Sequence, residues 1–542
     1  MKKTLRSLVI MAVSAGLWFY FLLPPLNIHS LEFWFFLFAM CIELILLVSF
    51  SRIISFFAKK GLRRKEFVQI EENKIPLAFT VKITLGIAAC LLVYLIFTAF
   101  IYTPLFMAGR YASRIKVTEV PFSSIPSYSF NQTAIIDRDS AQRLGDKVMG
   151  EMTDLVSQFS VSDEYSQISY NNGTYRVTPL TYDGFIKYLR NRAQGIPGYI
   201  IVNTTTGETK LQRLNKKMRY VPSGMFQEKL ARQLRFQHPF TIFGNPTFEI
   251  DDEGNPYYIC TTYTFHGVTA LKRVNGVILF DPVTGHSQRY DLNHIPSWVD
   301  RVYPAELIVE ELNDYGTYQK GFFNSVFGQE GVIKTSEGYN YISKDGDIWL
   351  YTGMTSAVSD ESNVGFALVN MRTHEAQFIR TSGADEYSVM ASAEGEVLNY
   401  GYSATFPVLV NLKNEPYYLL SLKDSAGLIK MYALVDARDY QQVYTVKADK
   451  AAKEAINTMI AQIGGPLSYS VDEYKEERIT IDDLRSVVMD GNTIYYLRSG
   501  TKNFRLPLNN DNAANAVFLK VGDAITIRYV QTDGVNIIQE IH

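Results

Sequence analysis

The residues best suited to chemistry include an acidic group in the middle of the chain. Glu249, Asp251, Asp252 and Glu253 supply the carboxylate oxygens that Ca²⁺ prefers, but their spacing gives an incomplete ligand set. They lie between two apolar stretches and are followed directly by Gly254. This pattern favours an ordinary polar turn over a cation site.

Histidines are the other candidates for catalysis or metal binding. His266, His286 and His294 fall within about 30 residues, but each has a local setting: a loop, a turn and a strand end. No two of the seven histidines have a spacing that places both imidazoles on one helix face. Motifs for phosphate loops, dinucleotide folds, nucleophile elbows and zinc proteases are absent from the sequence. We therefore predict no catalytic residue, metal site or cofactor, while a site assembled from distant segments stays open.

Aromatic side chains suggest a different chemistry, the binding of a protein partner. Tyr and Trp are favoured at interfaces. Five of them lie in predicted hairpin strands: Tyr257, Tyr258, Trp349, Tyr417 and Tyr418. The alternative is that every second residue of these strands is buried in the core.

A strand–turn–strand pattern occurs four times and must position these aromatic residues. In each copy four apolar residues lead into a polar turn residue: Asn203, Asp281, Asn370 and Asp436. Such a side chain can accept hydrogen bonds from backbone amides two or three residues later. Gly207 and Gly285 suit a positive φ at the end of the turn, whereas His374 and Tyr440 predict a different geometry there.

A hairpin precedes most copies of this pattern. A polar turn leads into Pro256-Tyr257-Tyr258 in one copy and into Pro416-Tyr417-Tyr418 in another. The repeating unit of helix, hairpin and strand–turn–strand resembles the PepSY (peptidase propeptide and YpeB-like) family over most of residues 136–445. The resemblance implies an extracytoplasmic module of protease propeptides and membrane-anchored envelope proteins, sometimes inhibitory. It carries no catalytic residues.

The first hundred residues predict location. Three apolar stretches are each close to the roughly 20 residues that a membrane helix needs, at about 7–23, 31–50 and 77–103. A cleaved signal peptide is the rival interpretation of the first stretch, but no small-residue cleavage site follows it. The loop 52–74 is rich in Lys and Arg, so the positive-inside rule predicts a cytoplasmic N-terminus and an extracytoplasmic 104–542. We therefore expect a multi-pass protein of the cell membrane.

One charged pair is predicted inside this membrane region. Glu43 is costly in hydrocarbon. Lys82 lies at a similar depth from the same end of the next predicted helix. We expect the two side chains to form a structural ion pair.

The predicted fold class is a membrane-anchored α+β chain with repeated modules and a small C-terminal barrel. The segments are three membrane helices in 1–103, a Pro-punctuated stalk, four modules and an OB- or SH3-like domain, with boundaries at 104–135, 136–223, 224–303, 304–386, 387–464 and 465–542. Residues 1–115 have a charge balance of +8, which leaves −10 for the remainder. This distribution, and the lack of a basic stripe with interleaved aromatic residues, argue against nucleic-acid binding.

Two functions are compatible with these features. The first is a non-enzymatic binding or scaffolding protein that displays its outer domain to envelope or membrane partners, with restraint of a protease as one possible role. The second is a cell-envelope hydrolase with a site between modules. A deep pocket with converging carboxylates or a Ser/His pair would favour the hydrolase, and grooves or open sheet edges would favour binding.

Overall fold

The computed structural model describes residues 2–62, 79–356, 359–449, 451–463, 474–489, 492–508, 513–531 and 535–542. The chain begins with four helices and a short strand: α1 (Lys2–Leu22), α2 (Leu31–Leu62), α3 (Phe79–Ile101), α4 (Pro104–Ala112) and β1 (Val117–Val120). Residues 63–78 of the predicted basic loop lie outside the described residues.

The predicted fold class is wrong, because the described chain is mostly β-sheet, in five sheets, and has one candidate membrane span. Among the described helices, Val81–Ile101 is long and apolar enough to cross a bilayer, and Val9–Leu22 is apolar but shorter. Lys2, Lys3 and Arg6 shorten the apolar run of α1. The chain thus has an apolar helix suited to anchoring it in a membrane, and the prediction of three spanning helices is replaced by this one.

Residues 104–135, predicted to form a stalk, instead pack along the folded domain. β1 pairs in parallel with Ala376–Ile379, a strand far along the chain. Ile115, Ile125 and Phe130 are buried in cores built from later parts of the sequence. The prolines favour an extended stalk. The apolar residues in the same segment nevertheless pack into cores formed by residues far along the chain, and the sequence does not reveal these contacts.

Four units follow, and each consists of a helix and an antiparallel sheet. Unit 1 comprises α5 (Arg138–Glu151), β2 (Phe159–Val161), β3 (Ser166–Tyr170), β4 (Gly173–Tyr182), α6 (Phe185–Asn191), β5 (Ile196–Asn203) and β6 (Thr209–Met218). α5 begins at Asp137, whose side chain accepts a hydrogen bond from the Ser140 amide as an N-cap.

Units 2 and 3 repeat this order. Unit 2 comprises α7 (Leu230–Gln237), β7 (Ile242–Phe243), β8 (Thr247–Ile250), β9 (Pro256–His266), β10 (Ala270–Phe280) and β11 (Ser287–Tyr290). Unit 3 comprises α8 (Ala305–Tyr318), β12 (Ile333–Thr335), β13 (Asn340–Lys344), β14 (Asp347–Ser356), β15 (Ser359–Asn370), β16 (Ala376–Ile379) and β17 (Gly383–Ala384).

Unit 4 completes the series before a linking helix. It comprises α9 (Glu386–Glu396), β18 (Ser403–Ala404), β19 (Val408–Leu412), β20 (Glu415–Lys423), β21 (Ile429–Asp436) and β22 (Val443–Lys447), followed by α10 (Ala452–Gln462). In all four units the second hairpin strand is central, with two short strands along one edge and the strand before the turn along the other.

The units share their cores with one another. Ile200 of unit 1, Phe280 of unit 2 and Leu434 of unit 4 belong to one buried apolar cluster. Two further clusters join unit 2 to unit 3 and unit 3 to unit 4. The units therefore stabilise one another through buried apolar surface.

The C-terminal part forms a separate sheet rather than the predicted five-stranded barrel. It comprises β23 (Tyr474–Thr480), β24 (Asp483–Met489), β25 (Asn492–Ser499), β26 (Lys502–Pro507), α11 (Ala513–Ala516), β27 (Ala524–Val530) and β28 (Asn536–Ile541). Within the described residues the six strands run in the order β23-β27-β28-β26-β25-β24, and β23 and β24 lie at opposite edges. The predicted boundary at Gly464-Gly465-Pro466 lies outside the described residues.

Candidate functional site

The best-formed site lies on one face of the unit 2 sheet. Tyr257, Ile259 and Thr261 alternate along β9 and therefore point to the same side of the sheet. Residues 295–304 cross this face on their way to α8. The Thr261 hydroxyl donates a hydrogen bond to the Val302 carbonyl oxygen (2.8 Å), which fixes the crossing segment against the strand.

A buried carboxylate holds the crossing segment from the neighbouring strand. The two carboxylate oxygens of Glu249, on β8, accept hydrogen bonds from the backbone amides of Asp300 (3.0 Å) and Arg301 (3.2 Å). Asp300 in turn accepts a hydrogen bond from the Ser169 amide of unit 1 (2.6 Å). The segment is therefore tied to unit 1 and unit 2 at one point.

These two acids have displaced pKa values. Burial raises the pKa of Glu249 to about 7, although the two backbone hydrogen bonds and Arg301 oppose the shift. Burial and the nearby Glu249 raise the pKa of Asp300 well above its usual range. Both side chains are buried, so they act on the position of the backbone rather than on a solvent-borne substrate.

The first opening beside the crossing segment is an aromatic cleft of about 400 Å³. Its lining combines apolar side chains with a polar rim: Tyr257, Leu279, Tyr290, Pro296 and Trp298 with Asp281, Thr284, His286 and Gln288. The rings of Tyr257 and Trp298 lie 5.1 Å apart between centroids and are inclined by 38°. This aromatic cleft offers half-buried rings beside hydrogen-bonding groups, as binding pockets commonly do.

The rim of the aromatic cleft is a rigid turn. One carboxylate oxygen of Asp281 accepts hydrogen bonds from the amides of Val283 (2.8 Å) and Thr284 (3.3 Å). The other accepts a hydrogen bond from the Thr284 hydroxyl (2.6 Å), and Gly285 closes the turn with φ of 79°. The polar groups are therefore positioned before any ligand arrives.

The four predicted turn residues occupy the same place in their units. Each lies at, or directly after, the end of the strand before the turn, and each side chain accepts hydrogen bonds from the amides two and three residues later: Asn203, Asp281, Asn370 and Asp436. His374 adopts the positive φ that Gly207 and Gly285 have, so the third turn keeps the same geometry despite its side chain. Tyr440 does not, and one additional residue separates the paired backbone groups in the fourth turn.

A second opening lies on the other side of the crossing segment, between units 1, 2 and 3. This inter-unit cavity has a volume of about 650 Å³ and includes charged residues of both signs: Arg138, Glu164, Lys272, Arg301 and Glu306. Burial lowers the pKa of Lys272, whose ammonium lies 4.0 Å from the centre of the Tyr263 ring. The described lining contains no histidine or cysteine, so it offers no base–nucleophile pair built on either residue.

The five aromatic residues predicted as a partner surface are divided by strand alternation. Tyr258, Trp349 and Tyr418 are buried, so their prediction as surface residues is wrong. Tyr258 packs against Phe248 (5.5 Å between ring centroids), and the Trp349 indole donates to the Lys344 carbonyl oxygen (3.2 Å).

The other two of the five remain partly exposed. Tyr417 is half-buried on β20, whereas Tyr257 forms part of the aromatic cleft. Of the five predicted residues, only Tyr257 on β9 therefore lines the aromatic cleft.

The predicted ion pair between Glu43 and Lys82 is not formed in the described structure. Glu43 instead accepts a hydrogen bond from the indole nitrogen of Trp18 on α1 (3.1 Å), and Lys82 is exposed. Position along the sequence places both charges at a similar depth but does not fix the rotation of either helix about its axis.

The acidic group organises a turn. The Asp251 carboxylate accepts hydrogen bonds from the amides of Glu253 (3.1 Å) and Asn255 (2.8 Å). No group of three or more metal-ligating side chains occurs among the described residues. The sequence groups Glu249 with this turn, but Glu249 lies within β8 and faces the interior. This position on the strand is the signal that it does not belong to the turn and instead holds the crossing segment.

Trp298 and Asp300 were missed. Both belong to a segment that the sequence marks only by prolines, and their importance depends on its crossing of unit 2. The pattern Pro-Ser-Trp at 296–298 was the available signal, because a Trp beside a Pro in a polar loop needs a surface on which to pack.

Comparisons with known proteins identify no relative. No protein family matches the sequence, and no curated protein matches it. Among solved structures, an ACO/RPE65 chimera aligns at 10% identity and a TM-score of 0.13, over 70% of this chain and 65%, less than two thirds, of that chain.

Two further structures align as weakly. The polysaccharide lyase Uly1 aligns at 10% identity and a TM-score of 0.16 over 70% of this chain and 77% of its own. A B. megaterium levansucrase mutant aligns at 7% identity and a TM-score of 0.17 over 77% and 98%. Scores this low carry no argument about fold or function, and the PepSY resemblance stays a prediction.

Proposed function

We propose that this chain is a membrane-anchored, non-enzymatic binding protein that captures an extracytoplasmic protein partner in the aromatic cleft of unit 2. The observation that carries the proposal is the pairing of Tyr257 and Trp298 in an open cleft with a preorganised polar rim. Tyr and Trp in such settings supply much of the binding energy of protein interfaces. An extended segment of the partner suits an aromatic-lined groove of this kind.

The orientation of the outer domain is part of this proposal. The chain leaves α3 at Ile101, and Tyr102 directly approaches His266 of unit 2 (6.4 Å between ring centroids). Arg63, Arg64, Lys65 and Lys74 precede α3, the candidate span, in the sequence. The positive-inside rule therefore favours a cytoplasmic side at the N-terminal end of α3 and leaves the units, which follow α3, outside.

The inter-unit cavity supports binding more than catalysis. Its lining combines positive and negative side chains, and the acids with displaced pKa values, Glu249 and Asp300, lie outside this lining and hold backbone amides in place. The resemblance to PepSY modules makes a protease one class of partner to test.

A photo-crosslinking experiment tests the proposal directly. A photoreactive amino acid at Gln288, in the rim of the aromatic cleft, should crosslink a discrete partner in intact membranes, whereas the same amino acid at exposed Gln441 of unit 4 should not. Trp298→Ala should weaken retention of that partner by more than about 1 kcal/mol. Exposed Tyr400→Ala provides the control.

Two results would contradict this function. One is equal crosslinking at the two glutamines, which would mean that the aromatic cleft is not the interface. The other is turnover of peptide, ester, phosphate or peptidoglycan substrates by the purified protein that a single substitution in the inter-unit cavity abolishes.

A further inference from the structure

An uncharged aromatic turn protrudes from unit 3 next to the end of the anchor helix. Residues 322–328 follow α8 and contain three phenylalanines and no charged side chain. Phe323 is 67% exposed and Phe327 is 80% exposed, and their rings stack 6.4 Å apart with an angle of 10°. Large aromatic side chains exposed together in this way mark a contact surface.

The aromatic turn is held rigidly. The Asn324 side chain donates a hydrogen bond to the Glu330 carbonyl oxygen (3.1 Å) and accepts one from the Glu330 amide (3.3 Å). Gln329 closes the turn with φ of 48°. The two phenylalanines are therefore displayed by a fixed backbone.

The pairing of α4 with α8 places this turn beside the membrane exit. Arg114, just after α4, contacts Glu310 (2.6 Å) and Asp314 (2.5 Å), and Tyr111 packs against Tyr318 (6.1 Å between ring centroids). Contacts thus move towards the C-terminus of α8 as one moves towards the N-terminus of α4. The Tyr111 hydroxyl also donates a hydrogen bond to the carbonyl oxygen of Tyr102, directly after α3 (2.8 Å), so the end of α8 that leads into the aromatic turn lies beside the membrane exit.

The start of α4 extends the same apolar surface. Leu105 and Phe106 are exposed, and the ring of Phe106 packs against Phe100 of α3 (5.1 Å between ring centroids). The aromatic turn and the start of α4 therefore both expose apolar side chains near the end of the anchor helix.

A second aromatic group lies around the end of α1. Phe226, Phe236 and Phe240 of unit 2 are exposed, and the ring of Phe236 packs against Phe19 (5.5 Å between ring centroids). The Leu26 amide donates a hydrogen bond to the Pro239 carbonyl oxygen (2.7 Å), which fixes α1 against this region.

The two aromatic groups belong to one end of the domain. His29, after α1, hydrogen-bonds to the Gly267 carbonyl oxygen, and the ring of Tyr102, after α3, packs beside His266. Both helix ends therefore meet the tip of the β9–β10 hairpin, with an aromatic group close to each.

We propose that this end of the domain lies on the bilayer, with Phe323 and Phe327 inserted among the lipids of the leaflet from which α3 emerges. Phe and Leu side chains on an amphipathic surface bind at the boundary between headgroups and acyl chains. The proposal commits to lipid as the occupant because the exposed aromatic side chains lie near the end of a helix suited to spanning the bilayer. It rests on the membrane anchoring in the proposed function and is independent of the aromatic cleft.

Fluorescence quenching by brominated lipids tests the insertion. The full-length Phe327→Trp variant would be reconstituted in nanodiscs of ordinary or dibrominated phosphatidylcholine, and its emission compared with that of the parent protein. We expect the brominated lipid to remove most of the added emission. Phe97→Trp, within the anchor helix, should be quenched similarly, and Leu398→Trp, 78% exposed on unit 4, should keep its emission.

Phe323→Trp provides a second position should Phe327→Trp perturb the turn. Unquenched emission at both positions, with quenching at Phe97→Trp, would overturn the proposal. Binding of the partner by the same variants in detergent is measured separately and tests the proposed function. This binding depends on the aromatic cleft and not on contact with lipid. Loss of retention with intact quenching would contradict the binding function alone.

Discussion

Glu249 and Asp300 hold the segment that carries Trp298, and they do so as buried acids. The carboxylate of Glu249 accepts both backbone amides at the centre of the crossing segment. The position of Trp298, and with it the shape of the aromatic cleft, therefore depends on two titratable side chains. Their raised pKa values make the stability of the protein depend on pH.

We predict that stability falls as the pH rises from the ordinary carboxyl range to about 7. Burial raises the folded-state pKa of Glu249 from 4.5 to about 7, so the folded protein binds more protons than the unfolded chain within this window. The free energy of unfolding must then decrease with pH there, by an amount on the order of 2 kcal/mol. Thermal unfolding measured at pH 5 and pH 8 would check the sign.

Asp300→Asn isolates the source of this dependence. An asparagine oxygen can still accept the Ser169 amide, but the variant removes one of two adjacent acids. We expect a smaller difference between pH 5 and pH 8, with the exposed Asp252→Asn as a control that leaves it unchanged. An undiminished difference in Asp300→Asn would show that other groups dominate.

The sequence was informative about residues wherever local geometry decided their role. Asp251 was read as a turn residue because its neighbours alone specify that turn. Tyr258 and Tyr418 are misassigned because a pair of adjacent tyrosines does not say which one faces the core. Trp349 is misassigned because its strand is buried on both faces, as its neighbours Ile348 and Leu350 show. The sequence does not reveal Trp298 as a site residue, because its contact with Tyr257 depends on how the crossing segment packs over β9.

At the scale of elements, the repeated turns show how one geometry tolerates different side chains. Gly207 has φ of 75° and Gly285 has φ of 79°. A Cβ at Gly207 would meet side chains no closer than 3.7 Å, whereas one at Gly285 would lie 2.6 Å from the Tyr220 ring. A side chain at Gly207 would therefore add backbone strain alone, whereas one at Gly285 would add a steric clash with Tyr220 as well.

We predict that Gly207→Ala costs about 1 kcal/mol of stability, from the positive φ alone. Gly285→Ala should cost more, because the Tyr220 ring must also move. Chemical denaturation of the two variants side by side would measure the difference. Equal costs would mean that the ring yields freely.

Arg114 links the membrane-proximal helix to unit 3. Its side chain is fully buried and contacts Glu310 and Asp314, and burial raises the pKa of Asp314 to about 6 despite this cation. We predict that Arg114→Ala destabilises the protein by roughly 3 kcal/mol or more, because it leaves Asp314 and the buried Glu311, 3.7 Å from the guanidinium, without their cation.

The exposed pair between Arg380 and Glu119 is the matched control for Arg114. It joins β16 to β1 at 2.9 Å, and Arg380→Ala should cost less than about 1 kcal/mol. Thermal unfolding and limited proteolysis near α4 would measure both variants. Similar costs would indicate that Arg114 contributes little beyond a surface ion pair.

The order of elements within each unit follows from local periodicity and turn chemistry, which is why helix, hairpin and closing turn could be read from the sequence. The pairing of β1 with β16 could not, because nothing in either strand encodes a partner so distant along the chain. The same limit applies to the final sheet, where parallel pairing of β26 with β28 replaces the expected barrel order.

At the scale of the whole molecule, residues 104–135 connect the cores of the folded units. Ile115 joins the core between units 2 and 3, Ile125 the core between units 3 and 4, and Phe130 the core that includes unit 1. The Tyr128 amide donates to the Asn411 carbonyl oxygen (2.8 Å), and the Asn411 side chain donates to that of Ile125 (2.8 Å). One continuous segment thus reaches three cores.

This arrangement predicts where an independently folding fragment must begin. A fragment of residues 104–542 retains β1 and the buried side chains that follow it, so we expect it to unfold cooperatively. A fragment of residues 136–542 lacks them and should aggregate or unfold at a lower temperature, because each large apolar side chain removed from a core costs about 2–5 kcal/mol. Size-exclusion chromatography and thermal unfolding of the two fragments would decide. Equal stability would mean that units 1 to 4 complete their cores unaided, and residues 104–135 would then be the dispensable connection that their prolines suggest.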